Sequence, residues 1–161
     1  MNRRAQENDV SGWHIGIIGG SGLYGVEGIE RGEWSDIASP WGEPSDAIFS
    51  GRLGHARVSF LPRHGRGHRI SPEALNSRAN IDCLKRLGVT DVLAVSSVGG
   101  LTEDRAPGTF SIVDQFIDRT KGRPSSFFGS GMVAHVSMAD PVCARLSALA
   151  ADAAEAGGAG T

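Results

Sequence analysis

The chain has 161 residues, of which 40% are apolar, and this is enough for one globular domain with a buried core. A charged fraction of 21% excludes a disordered polyelectrolyte, and no run approaches the ~20 apolar residues that a membrane span requires. The net charge of −2 argues against a general nucleic-acid-binding protein.

The N-terminus is polar, and we predict a disordered tail over residues 1–12, followed by a domain over residues 13–161. The tail lacks the apolar stretch of a secretory signal. Cys83 and Cys143 match no metal-binding spacing, so we expect reduced thiols and a cytoplasmic location.

The first part of the domain is predicted to be β-structure. Residues 14–18 form a short apolar run that ends in glycines, which is typical of a buried strand. The glycines and proline of residues 26–40 favour a loop. Residues 46–53 and 56–61 have strand character and flank Gly54 and His55, which indicates a hairpin.

A helix is predicted to follow, with Ser71 as its N-cap and Pro72 in its first turn. Apolar residues then recur every four positions, and Gly88 ends the helix. Residues 89–98 are predicted to be a second buried strand. The order strand, helix, strand indicates an α/β sheet in which the loops at strand ends carry the chemistry.

The last third of the chain is predicted to contain a strand over residues 109–117 and a long polar loop over residues 118–131. Long loops in compact domains are usually functional. An alanine-rich helix is predicted to start at Asp140 and Pro141 and to end at the final glycines.

The glycine-rich loop after the first strand has the spacing G-x-G-x-x-G over residues 20–25. A dinucleotide site needs a helix opening in that loop and an acidic residue at the end of a second strand. Residues 26–40 have no helical pattern, and neither Asp36 nor Asp46 lies in that context. The alternatives are a tight turn without a ligand and an anion cradle, in which Ser21 adds a hydroxyl donor to the backbone N–H groups.

A cationic block follows the hairpin. No acidic residue lies between Ala47 and Pro72, and a strand end at Leu61 is followed by Arg63, His64, Arg66, His68 and Arg69. Nearby guanidiniums would repel a divalent metal ion, so we predict no metal site. Guanidinium forks suit a phosphate or a carboxylate, and we predict that Arg63 and His64 bind an anion.

A third strand end carries Ser96 and Ser97, followed by Gly99 and Gly100. Small hydroxyl residues there can donate to an anion from side chain and backbone. Three strand ends with anion donors together indicate a site for inorganic or ester phosphate.

The order of motifs resembles the methylthioadenosine branch of the trimeric purine nucleoside phosphorylase family. The similarity runs from Ile15 to Cys143, and its motifs are IGIIGGSGL, PSDAIFSG, LPRHGRGHRISP, RANI, SSVGGL, VDQFIDRT and AHVSMADPVC. The resemblance implies a single α/β domain with a mixed central sheet flanked by helices. It also implies an enzyme of purine and methionine salvage, a pentosyltransferase that cleaves 5′-methylthioadenosine with phosphate to adenine and 5-methylthioribose-1-phosphate.

Site residues are carried over from the resemblance position by position. It implies that phosphate is bound by Ser21, Arg63, His64, the Ser96 side chain and the Ser97 backbone. His135 is expected to reach the 5′ end of a nucleoside in a neighbouring subunit, which implies a homotrimer. Inorganic phosphate is a co-substrate, and no cofactor, nucleic-acid partner or membrane partner is expected.

Two departures from the family pattern leave alternatives open. Ser-Ser-Val-Gly-Gly replaces the expected Thr-Ala-Cys-Gly-Ser, so a preference for 6-oxopurine nucleosides or methylthioinosine is the alternative. The chain also covers only the first half of such a fold. The purine-binding and catalytic residues belong to the other half, so we expect a truncated domain that is inactive by itself, or else a non-catalytic remnant.

Overall fold

The computed structural model describes residues 12–23 and 28–159. The chain divides into two compact units, Met1–Ser97 and Val98–Thr161. Apart from Gly12, the predicted tail lies outside the described residues, as does part of the glycine-rich loop. Among the described residues, no helix has the length and hydropathy of a bilayer-spanning segment.

The first unit is built on a five-stranded sheet with the order β2-β3-β4-β1-β5. Strand β1 pairs in parallel with β4 and β5, whereas β3 pairs antiparallel with β2 and β4. The expected mixed α/β sheet is therefore confirmed. The strands are β1 His14–Gly19, β2 Glu30–Ser35, β3 Ile48–Leu53, β4 Ala56–Pro62 and β5 Asp91–Ala94.

The predicted hairpin is confirmed. Strands β3 and β4 are joined by Gly54 and His55, and Leu53 pairs with Ala56 across the turn. Gly54 has a φ of 58°, which a residue without a Cβ adopts at low cost.

The prediction of a loop over residues 26–40 is wrong for β2, which forms the outer strand beside β3. This edge strand is almost entirely exposed, so its sequence lacks the apolar alternation of a half-buried strand. A register shift between Glu30 and Glu33 interrupts the pairing, and the Trp34 ring lies 5.2 Å from the Phe49 ring.

Helix α1, Ser77–Arg86, begins later than predicted. Residues Pro72–Ala74 form a separate 3₁₀ turn, and the Ser71 side chain makes no capping hydrogen bond. The cap is Asn76, whose side chain accepts from the Ala79 N–H and satisfies one of the first-turn donors.

The predicted end of α1 at Gly88 is confirmed. Gly88 has a φ of 83°, its N–H donates to the Lys85 carbonyl, and the Val89 N–H donates to the Leu84 carbonyl. These two bonds form a Schellman motif, and Leu84 and Val89 both join the core. One buried hydrophobic cluster of the first unit comprises Ile48, Leu61, Cys83, Leu84 and Val89.

Two strand predictions beyond α1 need correction. The strand predicted over residues 89–98 is limited to β5, which is only half-buried. The strand predicted over residues 109–117 is wrong, because the described backbone of these exposed residues forms no ladder and the second unit holds no described strand with which they could pair. A strand requires such a partner for its backbone groups.

The second unit holds helix α2, Ala144–Ala156, which begins shortly after the predicted start. Before it, the described backbone makes one isolated bridge, between Gly129 and Met132. Gln115 donates to the carbonyls of Met138 and Ala139.

A buried polar network crosses the sheet of the first unit. The His14 Nε2 atom lies 2.8 Å from the Ser59 hydroxyl, which lies 2.7 Å from the Ser50 hydroxyl. Burial lowers the pKa of His14, and the positive charge of Arg57 lowers it further.

We predict that the folded state becomes less stable as the pH is lowered, and that His14 causes part of this loss. The unfolded chain accepts a proton on this residue more readily than the folded chain does. The stabilisation from neutral His14 is therefore at its full value above the ordinary histidine pKa of about 6.5 and declines below it. Melting temperatures measured between about pH 8 and pH 5.5 test this prediction. This range lies above the pH at which ordinary carboxylates titrate, so their protonation does not obscure the effect. His14→Gln is expected to flatten the profile, whereas the exposed control His55→Gln leaves it unchanged. Equal slopes in all three proteins would contradict the prediction.

Candidate functional site

Three loops meet at one edge of the sheet. Because β1, β4 and β5 are parallel, their carboxyl ends lie on the same side. Two backbone hydrogen bonds hold the loops there, from the Arg63 N–H to the Gly19 carbonyl (2.8 Å) and from the Val95 N–H to the Ile18 carbonyl (2.9 Å). The predicted phosphate-binding segments are therefore neighbours.

The Arg63 guanidinium connects these loops. Its Nη1 donates to the Ser96 hydroxyl, which links the end of β4 to the end of β5. Its Nη2 lies beside the β1 loop, 4.0 Å from where a Cβ on Gly20 would stand. The Ser96 oxygen accepts from Arg63, so its own O–H remains able to donate to an anion.

His64 holds the same guanidinium from the other side. The His64 ring is buried, its Nδ1 lies 2.9 Å from the Ile70 carbonyl, and its Nε2 lies 3.2 Å from Arg63 Nε. A carbonyl oxygen only accepts and an arginine Nε only donates, so Nδ1 carries the proton and Nε2 is the acceptor. The His68 ring stacks on His64 with centroids 4.5 Å apart.

Arg66 and Arg69 do not share the position of Arg63. Arg66 Nη2 lies 2.8 Å from Asp46 Oδ1, and Arg69 Nη2 lies 3.7 Å from Asp46 Oδ2. Our sequence reasoning considered Asp46 only as a dinucleotide-binding acid. Its place immediately before the acid-free cationic block was the available signal.

Asp46 is ionised in this environment. Burial alone raises the pKa of its carboxyl, but hydrogen bonds from the Arg66 side chain, the Arg66 N–H and the Ala47 N–H outweigh that effect. The net result is a pKa below the ordinary value.

The remaining predicted site residues are placed as follows. The backbone of Ser21 lies in a 3₁₀ turn directly after β1. Ser97 follows Ser96 at an exposed position. His135 is exposed in the second unit. The roles of these residues remain predictions.

The arrangement suits a tetrahedral anion. A guanidinium, a hydroxyl with a free proton and the backbone of a glycine-rich turn converge at the ends of parallel strands. Among residues 12–23 and 28–159, no three His, Cys, Asp or Glu side chains lie close enough together to hold a metal ion.

Comparison with known proteins gives one family. Residues 14–160 match the model of the phosphorylase superfamily. The chain is 60% identical over 144 residues to S-methyl-5'-thioadenosine phosphorylase of Cereibacter sphaeroides, covering 89% of this chain and 50% of that protein. It is 58% identical over 132 residues to the protein of the same name from Rhodospirillum rubrum, covering 82% of this chain and 45% of the relative.

Solved structures of methylthioadenosine phosphorylases are also similar to this chain. A methylthioadenosine phosphorylase from an antarctic soil metagenomic library superposes with a TM-score of 0.82 at 49% identity, over 88% of this chain and 50% of that one. Methylthioadenosine phosphorylase from Schistosoma mansoni gives a TM-score of 0.85 at 39% identity, over 91% and 53%. The chain thus spans about half the length of these relatives.

We predict that His64 is the Nδ1–H tautomer, because its Nδ1 lies against the Ile70 carbonyl and its Nε2 accepts from Arg63 Nε. Long-range ¹⁵N–¹H correlation spectra of the histidine-labelled chain measure this directly, and a His64→Gln variant assigns the signals. A spectrum with the proton on Nε2 would contradict the assigned contacts to Ile70 and Arg63.

Proposed function

This chain belongs to the phosphorylase superfamily, and we propose that it supplies the phosphate-binding half of an enzyme that cleaves 5′-methylthioadenosine. The products are adenine and 5-methylthioribose-1-phosphate, a purine and methionine salvage reaction. Support comes from relatives that carry the name S-methyl-5'-thioadenosine phosphorylase and match about half their length.

The observation that carries the proposal is the position of the Arg63 guanidinium. It lies where the three strand-end loops meet, is held by His64 and donates to Ser96. An anion at this edge would take the outer face of the guanidinium together with the Ser96 proton. The glycine-rich turn after β1 would complete the cradle with its N–H groups.

The chemistry assigned to this half is electrostatic. As the bond between the sugar C1′ and the purine nitrogen breaks, its electron pair goes to the purine, which takes up a proton. The sugar becomes cationic, and a phosphate oxygen then bonds to C1′. Arg63, oriented by His64, and Ser96 would hold the phosphate beneath the sugar, where its charge stabilises the cation before attack.

We further propose that the complete enzyme is a cytoplasmic homotrimer to which His135 contributes from a neighbouring subunit. His135 would there contact the 5′ end of the nucleoside. Purine recognition and protonation of the leaving base are assigned to the half of the relatives that this chain does not match.

We expect inorganic phosphate to raise the melting temperature of the chain. At a hundred times its dissociation constant, phosphate stabilises the folded state by about 2.7 kcal/mol, which for this size is roughly 5–10 °C. Arg63→Ala is expected to lose the shift. Arg52→Ala removes an equal charge at an exposed site whose guanidinium donates to the His55 carbonyl of its own hairpin turn, and it should keep the shift. Equal shifts in both variants would disprove the site.

Activity is tested by adenine release from methylthioadenosine. The chain is assayed alone and mixed with a polypeptide that corresponds to the unmatched half of the Cereibacter sphaeroides relative. We expect release only in the mixture and only with phosphate. Release without phosphate would contradict phosphorolysis, faster cleavage of inosine would favour the 6-oxopurine alternative, and no cleavage would favour a non-catalytic remnant.

A further inference from the structure

Asp46 is a buried carboxylate that contacts the cationic block after β4. Its side chain is only 3% exposed, and it faces two arginines. It accepts from the Arg66 N–H at 2.5 Å and from the Ala47 N–H at 2.8 Å, besides the Arg66 guanidinium. A buried carboxylate is costly unless its oxygens are paired and hydrogen-bonded, and here both oxygens are.

Arg66 is held on two sides. One side of its guanidinium is on Asp46, and its central carbon lies 4.2 Å from the centroid of the Trp34 ring on β2. Arg69 adds a longer ion pair to the same carboxylate. These two cations are therefore committed to Asp46, whereas Arg63 is directed to Ser96.

The segment that carries Asp46 is itself fixed to helix α1. The Ser45 N–H donates to Asn80 Oδ1 at 2.8 Å, and Asn80 Nδ2 donates to the Ser45 hydroxyl at 2.9 Å. Both residues are buried. The loop lies directly on this segment, since a Cβ on Gly65 would stand 3.0 Å from the Ser45 carbonyl oxygen.

We propose that Asp46 is a positioning residue of the anion site. It fixes the loop after β4 against α1 and withholds Arg66 and Arg69, so that the loop presents the Arg63 guanidinium to phosphate. This inference rests on the proposed phosphate site. Without Asp46 the loop would loosen, and two mobile guanidiniums would attract anions by charge with little regard for shape.

The test is the dissociation constant for inorganic phosphate, measured by calorimetry at low and high salt. Asp46→Asn is expected to weaken phosphate binding on the order of tenfold, because preorganisation is lost. Its binding should also become more salt-dependent, because freed surface charges are screened more than held ones. A residue that served only the fold would not change the salt dependence.

The matched control is Asp82→Asn. Asp82 likewise pairs with an arginine, at 2.6 Å from Arg86, but both residues belong to helix α1. This variant should bind phosphate like the wild type. Arg66→Lys keeps the charge but loses the planar fork, and we expect it to weaken binding about threefold. If circular dichroism shows that Asp46→Asn does not fold, phosphate binding by Arg66→Lys tests the proposal instead.

The outcomes are separable. If the wild type does not bind phosphate, the proposed function is overturned together with this inference. If the wild type and Asp82→Asn bind phosphate and folded Asp46→Asn binds with the same affinity and salt dependence, the site stands and the positioning role is overturned. Unchanged binding in Arg66→Lys, when Asp46→Asn is unfolded, overturns it equally.

Discussion

The parallel pairing of β1 with β4 and β5 is the constraint on which the site depends. It brings three chain segments to one edge, although they are far apart in sequence. Close packing against β1 requires small residues, since a Cβ on Gly16 would stand 2.9 Å from a Val89 methyl group. On Gly19 it would stand 2.7 Å from a Leu23 methyl group. The glycines of β1 thus permit the packing that positions the loops.

Sequence patterns predicted those structural elements that residues close together in the chain determine by themselves. Gly54 specified the hairpin turn and Gly88 the end of α1, because each provides a positive φ that other residues resist. β2 was missed because an exposed edge strand carries no apolar alternation, and its pairing depends on β3. Residues 109–117 have strand composition, but composition cannot supply the neighbouring strand that the prediction required.

The candidate site shows the same division. Arg63 and Ser96 could be selected because each follows an apolar strand that the sequence reveals, and a contact between them follows from parallel topology. The sorting of the cationic block could not be predicted. Arg63 and Arg66 are equivalent by composition, and only the fold places Asp46 beneath one and Ser96 beside the other. Sequence therefore identified the charges, and tertiary structure assigned their partners.

This sorting of charge suits the proposed reaction. A phosphate that attacks a cationic sugar must retain much of its negative charge, both as a nucleophile and as a stabiliser of that cation. Two further guanidiniums in contact with the phosphate would neutralise much of this charge and so compete with the sugar for it. Binding that is equally strong before and at the transition state lowers KM without raising kcat. Because Arg66 and Arg69 are paired with Asp46, phosphate would be bound by Arg63 and by uncharged donors. These groups would fix the orientation of the phosphate without neutralising the charge that its reaction requires.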